Sequence, residues 1–204
     1  MTSESARMEH WGFKLESWAG IRDAKPNDAH RAIVSLEDAG KLELLVTQNI
    51  DGLHSAAGSS GEHLVEVHGT NRLVECQSCG SLTDPQPHFD FFREHHIPPL
   101  CGCGGFLKPA TISFGQPLHE NDTRRAAHGA STADLVIALG TSLTVNPAAS
   151  IPLIAVRRGV PYVIINRGHT EHDGMPCVTL RLDGDVVELF PPAVDKALTV
   201  ENTE

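Results

Sequence analysis

The stretch Thr47-Gln-Asn-Ile-Asp-Gly-Leu-His54 gathers two amides, a carboxylate and an imidazole into eight positions. It directly follows the mostly apolar run Leu42-Glu-Leu-Leu-Val46. Polar side chains collected where a strand ends, with a glycine to turn the backbone, suit hydrogen bonding to a small polar ligand better than core packing. The cysteines form a second group. Cys76-Gln-Ser-Cys79 and Cys101-Gly-Cys103 are two close pairs separated by residues 80–100, and Cys177 stands apart. This spacing resembles a four-thiolate zinc site, Cys76, Cys79, Cys101 and Cys103, more than a disulfide framework. The plainer reading is two pairs of reduced thiols. Gly80 and Gly104-Gly105 follow the pairs, where glycine lets backbone N–H groups turn toward the thiolates. The second pair has one intervening residue where two are usual, which strains a chelate and predicts weaker metal retention.

Elements must bring these groups into place. Asn27 is suited to cap a helix in which Ala29, Ala32, Ile33 and Leu36 share one face, and Gly40 would close it. Leu42 to Val46 then reads as a strand covered on both faces. Asp134-Leu-Val-Ile-Ala-Leu139 is a similar strand that runs into Gly140-Thr141-Ser142, followed by a helix from Pro147 to about Arg158. Pro161-Tyr-Val-Ile-Ile165 leads to Asn166, and Val178-Thr-Leu-Arg-Leu182 precedes Asp183-Gly-Asp185 and a short helix. Alternating strands and helices predict an α/β, Rossmann-like, doubly wound parallel sheet. The rhythm breaks between about Gly69 and Ala110, which gives a Rossmann-like domain over 1–68 and 111–204 and an inserted zinc-binding module over 69–110.

Three strand ends carry QNID, GTS and IN, the positions where such sheets bind ligands. Gly140, Thr141 and Ser142 could offer N–H and hydroxyl groups to a phosphate or ribose, and Asn166 could bind a sugar hydroxyl. A nucleotide is the natural guest. The chain has no G-x-G-x-x-G segment, which disfavours an ordinary hydride-transferring dehydrogenase.

The chain's 16 Lys and Arg against 26 Asp and Glu leave a formal charge of -10. That sign opposes nucleic acid and mildly favours cationic protein tails. A nucleic-acid-binding zinc ribbon is disfavoured further because residues 67–108 offer only Arg72, Arg93 and Lys108 as basic groups. No apolar stretch approaches the roughly 18 residues of a membrane helix, and the first ten residues lack a signal-peptide core. A cytoplasmic protein is therefore expected, with no membrane partner and with its oligomeric state open.

PNDAH, TQNIDGLH, Val67-His68-Gly69, the two cysteine pairs, Leu107-Lys-Pro109, Phe114-Gly115, GTSLTVNP and IIN occur in the order and at roughly the spacing found in the sirtuins. The chain thus resembles those NAD-dependent protein deacylases from about Pro26 to Asp185. The resemblance implies NAD and zinc as cofactors and an acyl-lysine protein or peptide as substrate. The acyl group would pass to ADP-ribose with release of nicotinamide. Asn49 would position the ribose and a water, Asp51 would accept hydrogen bonds from the nicotinamide amide, Gln48 would bind the ribose and Ile50 would pack near the ring. Gly140, Thr141, Ser142, Asn166 and Arg167 would complete the cofactor site. His68 would be the general base, because an imidazole can take a proton near neutral pH; His54 reads as structural, hydrogen-bonding within its own loop. Phe114, Gly115, Leu143 and Val145 resemble the segments that hold the substrate peptide as an added strand, although Phe114 by residue type could equally be core. Gln116 stands where many sirtuins have glutamate, and Asn146 where an aromatic is common.

Residues 1–25 contain nothing like the first strand and glycine-rich segment with which sirtuins begin. They read instead as the helical stretch that follows that segment. The first strand is central in such a sheet, so the domain is expected to be N-terminally incomplete, with weakened diphosphate binding and impaired activity. Two alternatives share the scaffold: an ADP-ribosyltransferase, and a catalytically silent zinc-stabilised module that binds peptide or nucleotide.

Overall fold

A computed structural model describes residues 3–201. The elements run α1 (Glu4–Asp23), α2 (Asp28–Asp38), β1 (Leu45–Thr47), α3 (Leu53–Ala57), β2 (Leu64–Glu66), β3 (Gly69–Cys76), β4 (Leu82–Thr83), α4 (Pro85–His95), β5 (Leu107–Thr111), α5 (Glu120–Thr132), β6 (Val136–Leu139), α6 (Pro152–Val156), β7 (Tyr162–Asn166), β8 (Leu180–Asp183) and α7 (Val186–Glu201). They divide into two compact units. One comprises 1–25, 49–52 and 68–117, the other 26–48, 53–67 and 118–204.

The second unit carries the parallel sheets. Asn27 caps α2 as its type requires. Its side chain accepts the His30 N–H at 3.2 Å while the His30 ring accepts the Asn27 N–H at 3.3 Å, a reciprocal capping box. Gly40 closes the helix with φ 65°. Strands β6, β7 and β8 pair in that order, all parallel, and β1 pairs in parallel with β2. Alternation along each strand sends side chains to opposite faces. Leu45, Ile137, Leu139, Val163 and Ile165 pack with Ala29, Ala32 and Ile33 of α2 and Phe190 and Val194 of α7. Ala138, Tyr162 and Ile164 pack with Leu153 and Val156 of α6, and Val46 and Val65 with Ala126 of α5. Helices therefore cover both faces, the doubly wound arrangement that the sequence pattern predicts.

Among the described residues no strand joins β1 to β6. Leu45 and Ile137 nevertheless share one apolar cluster, and the Gln48 amide reaches Thr141 Oγ1 at 3.3 Å. The helix expected over 147–158 is divided into a 3-10 turn, Ala148–Ser150, and α6; Pro152 supplies no N–H and so opens a new helix better than it continues one. The helix after Asp185 has 16 residues, longer than expected.

The first unit holds all of residues 69–110 and also α1. Trp11 and Trp18 lie two turns apart on one face of α1 and need cover. Both rings meet Phe89 of α4, at centroid distances of 5.3 and 4.9 Å, over Val74 of β3 and Leu107 of β5. Their indole N–H groups donate to Leu107 O at 3.1 Å and Gln86 Oε1 at 2.8 Å. Strands β4, β3 and β5 form an antiparallel sheet. Asp84 caps α4, and Pro85 sits in its first turn.

His10 of α1 carries a buried Nε2 with no hydrogen-bond partner. Burial, aided by Lys14 and Lys108, holds its pKa down at about 4 from the ordinary 6.5. As the pH falls the unfolded chain takes this proton first, so the stability present above pH 6.5 should erode toward pH 4. His10→Leu is expected to flatten that interval of a thermal-stability profile. An unchanged slope would assign the acid sensitivity to other groups.

Candidate active site

Asn49, Ile50, Asp51 and His68 all belong to the first unit, and β3 fixes the backbone of Ile50 and Asp51. The N–H of Asn71 in β3 donates to Ile50 O at 2.8 Å, and Arg72 Nε donates to Asp51 O at 2.7 Å. Gly52 has φ 67°, and a Cβ there would stand 2.6 Å from Arg72 Cγ, so the missing side chain lets the arginine stem run against the loop. The guanidinium continues to Arg22 O at 3.2 Å and Ile21 O at 2.8 Å, tying the end of α1 to the same loop. His68 immediately precedes β3, and its carbonyl accepts the Ile112 N–H at 2.9 Å. Gly69 has φ 72°, and a Cβ would fall 2.1 Å from Ala110 O. Only glycine permits that approach.

Arg72 was not singled out by sequence reasoning. Its signal was a lone arginine inside a strand otherwise closing on an apolar core. Arg72→Met leaves three carbonyls without this donor. It is expected to lower stability by about 2 kcal/mol and to cut kcat/KM for an acetyl-lysine peptide by about tenfold or more. Thermal unfolding and nicotinamide release measure the two effects, and a variant equal to the parent in both would remove Arg72 from the site's support.

Phe114 is 97% exposed and is not core. It lies in a turn pinned by Gln116, whose Oε1 accepts both the Ser113 N–H and Lys108 Nζ at 2.9 Å; Gly115 takes φ 85° within it. Lys108 is 4% exposed, so the neutral Gln116 amide is the acceptor of a buried cation.

The second unit holds Gln48, Gly140 to Val145, Asn166 and Arg167. Gly140 leaves β6 with φ 60°, and its N–H donates to Ile165 O at 2.9 Å. Thr141 Oγ1 accepts from Gln48 Nε2 and, at 3.1 Å, from the Leu143 N–H. Its own proton meets no acceptor among the described residues. Ser142 and Thr144 share a hydroxyl hydrogen bond of 2.9 Å. Leu143 adopts φ 57° with its side chain buried in the β6–β7 core, so it can offer a peptide its backbone only. A non-glycine residue held left-handed costs about 1–2 kcal/mol, and such strain gathers at ligand loops. Val145 remains exposed. Asn166 ends β7, and Arg167 pairs with Asp185 at 2.7 Å. His54, expected in a loop, lies in α3 and packs beside His30 with ring centroids 4.6 Å apart.

The four cysteine sulfurs of the first unit lie within 4.8 Å of one another. Cys76 and Cys103 are 3.5 Å apart, Cys79 and Cys101 3.8 Å, close to the roughly 3.8 Å edge of a tetrahedron with Zn–S bonds near 2.3 Å. Backbone N–H groups of Cys79 and Ser78 draw the Cys76 thiol down to about 6. Against the Gly105 N–H, hydrogen bonding to Cys76, Cys79 and Cys101 pushes Cys103 up to about 12. Gly105 has no room for a side chain, since a Cβ would lie 2.7 Å from Cys76 Sγ. The donor set fits zinc.

A doubly wound α/β unit with polar strand ends, joined in one chain to a four-thiolate module, defines a class of nucleotide-using metalloprotein. The Sir2 family model matches residues 1–147, and the chain belongs to the Sir2 family. It is 38% identical over 190 residues to an NAD-dependent protein deacetylase of Haloarcula marismortui, covering 91% of this chain and 72% of the relative. It is 39% identical over 183 residues to NAD-dependent protein deacetylase 1 of Bradyrhizobium diazoefficiens, covering 90% and 72%. Solved structures agree. A Sir2 bound to acetylated peptide superposes with TM-score 0.87 at 36% identity, covering 96% of this chain and 80% of that one, as does a Sir2 with p53 peptide and NAD+.

Proposed function

We propose that the chain is an NAD-dependent protein-lysine deacylase that moves the acyl group of an acyl-lysine onto ADP-ribose and releases nicotinamide. The observation that carries this reading is identity of 38% and 39% to named deacetylases along about nine-tenths of the chain. NAD, when bound, supplies an activated sugar carbon with nicotinamide as leaving group. On this reading the chain's residues bind, orient and move a proton. Asn49 holds the ribose and a water, Asp51 accepts from the carboxamide, Gln48 binds the ribose and Ile50 packs by the ring. Gly140, Thr141 and Ser142 meet phosphate and ribose oxygens at the carboxyl end of β6, Asn166 binds a sugar hydroxyl, and Arg167 completes the cofactor site. His68 takes a proton from a ribose hydroxyl. Phe114, Gly115, Leu143 and Val145 hold the peptide main chain as an added strand.

Zinc on Cys76, Cys79, Cys101 and Cys103 is structural, since four thiolates leave no open position for chemistry. The reaction is a transferase step, because the acyl acceptor is a sugar. A cytoplasmic location is supported by thiols arranged as ligands, which require reducing surroundings. The test incubates the chain with an acetyl-lysine peptide at saturating NAD and follows nicotinamide, free lysine and acetyl-ADP-ribose. Equal yields of all three are expected. Covalently ADP-ribosylated protein with the acetyl-lysine intact would replace the reading with transfer to protein.

A further inference from the structure

We infer that Arg181 is a positioning residue for binding of a nucleotide sugar hydroxyl, acting through Asn166; this rests on the proposed function. Arg181 sits in β8 between Leu180 and Leu182, with 22% of its side chain exposed. Its NH1 donates to Asn166 O at 3.0 Å and also to Leu182 O, and its NH2 donates to Gly168 O. One planar fork thus holds the carbonyls at both ends of the turn Asn166-Arg167-Gly168. The fork is anchored in turn, because Nε donates to Asp173 Oδ1 at 2.8 Å. Asp173 also takes the Thr170 hydroxyl at 2.6 Å and the Thr170 N–H at 3.1 Å, and Thr170 is buried. From the other side Asp183 Oδ1 accepts the Gly168 N–H at 2.8 Å.

This bracing decides what Asn166 can offer. Its Nδ2 donates to Arg167 O at 3.1 Å and Gly168 O at 3.2 Å, which fixes the amide's orientation. Oδ1 is left as an acceptor with no donor among the described residues, the group that a ribose hydroxyl needs. Without Arg181, Gly168 O loses the donor that holds it, and the amide loses the support of one of its two acceptors. A lysine cannot replace the arginine, because a single ammonium does not span the three carbonyls and the carboxylate.

The test measures ADP-ribose binding by calorimetry, which requires no turnover, and acetyl-lysine peptide binding as an internal control. Arg181→Met is expected to weaken ADP-ribose binding about tenfold, with peptide affinity unchanged, and Arg181→Lys to recover only part of the loss. Added to Asn166→Ala, Arg181→Met should cost little more than Asn166→Ala alone, because both remove one interaction. Should Arg181→Met fail to fold, Arg181→Lys carries the same cycle. Parent-like ADP-ribose affinity in the arginine variants, or losses that add in full, would overturn the inference and leave the deacylase reading standing. Failure of the parent chain to bind ADP-ribose would overturn both.

Discussion

His68→Ala is expected to reduce acyl transfer from an acetyl-lysine peptide by about 10²- to 10⁴-fold, the usual contribution of a positioned general base, with folding intact. The His68 carbonyl is held by Ile112 and the next residue is the obligatory glycine, so main-chain pairing holds the local backbone. A deficit should therefore be chemical, visible as lost acetyl-ADP-ribose at saturating NAD and peptide while the circular dichroism is unchanged. His119, exposed on its loop, is the matched control, and His119→Ala should keep full turnover. If His68→Ala retained more than about a third of the parent rate, a proton-transfer role of this size would have to be given up.

Metal removal should have the second large effect, on stability. Structural zinc contributes on the order of 10 kcal/mol to the folding of small thiolate domains, a sum comparable to the whole stability of a typical domain. Here the ligands come from β3, the turn after it and the loop before β5, so the ion would hold together the sheet on which α1 and α4 pack. Both tryptophans of the chain, Trp11 and Trp18, lie in that core, which makes fluorescence a specific reporter. Chelation, or Cys76→Ser, is expected to shift the emission to the red and to lower the melting temperature by well over ten degrees, with one zinc per chain in the untreated protein. Buried tryptophan emission and an unchanged melting curve after complete zinc loss would show that the apolar cluster suffices alone.

Much of this was written locally. The cap at Asn27, the apolar face of α2, the two-sided strands β6 and β7 and the paired cysteines each depend on neighbours within a few residues, so spacing alone revealed them. The joint order of the motifs likewise identified the Sir2 family and NAD chemistry. Local pattern was less informative where packing arbitrates. The stretch 69–110 looked irregular, yet it contains α4 and an antiparallel sheet, because its apolar residues are completed by Trp11 and Trp18, far earlier in the chain. Phe114 had no assignment by type, and only the fold left it exposed.

What the sequence by itself determined is the inventory: which chemical groups exist, their order, and the periodicities that select helix or strand. Tertiary structure alone decided which groups act together. Arg72 reaches back to Ile21, Arg22 and Asp51, and Arg181 to Asn166 and Gly168. The reason is physical: a guanidinium satisfies whatever carbonyls the folded backbone brings within its reach, and no local pattern records contacts that chain topology creates at a distance.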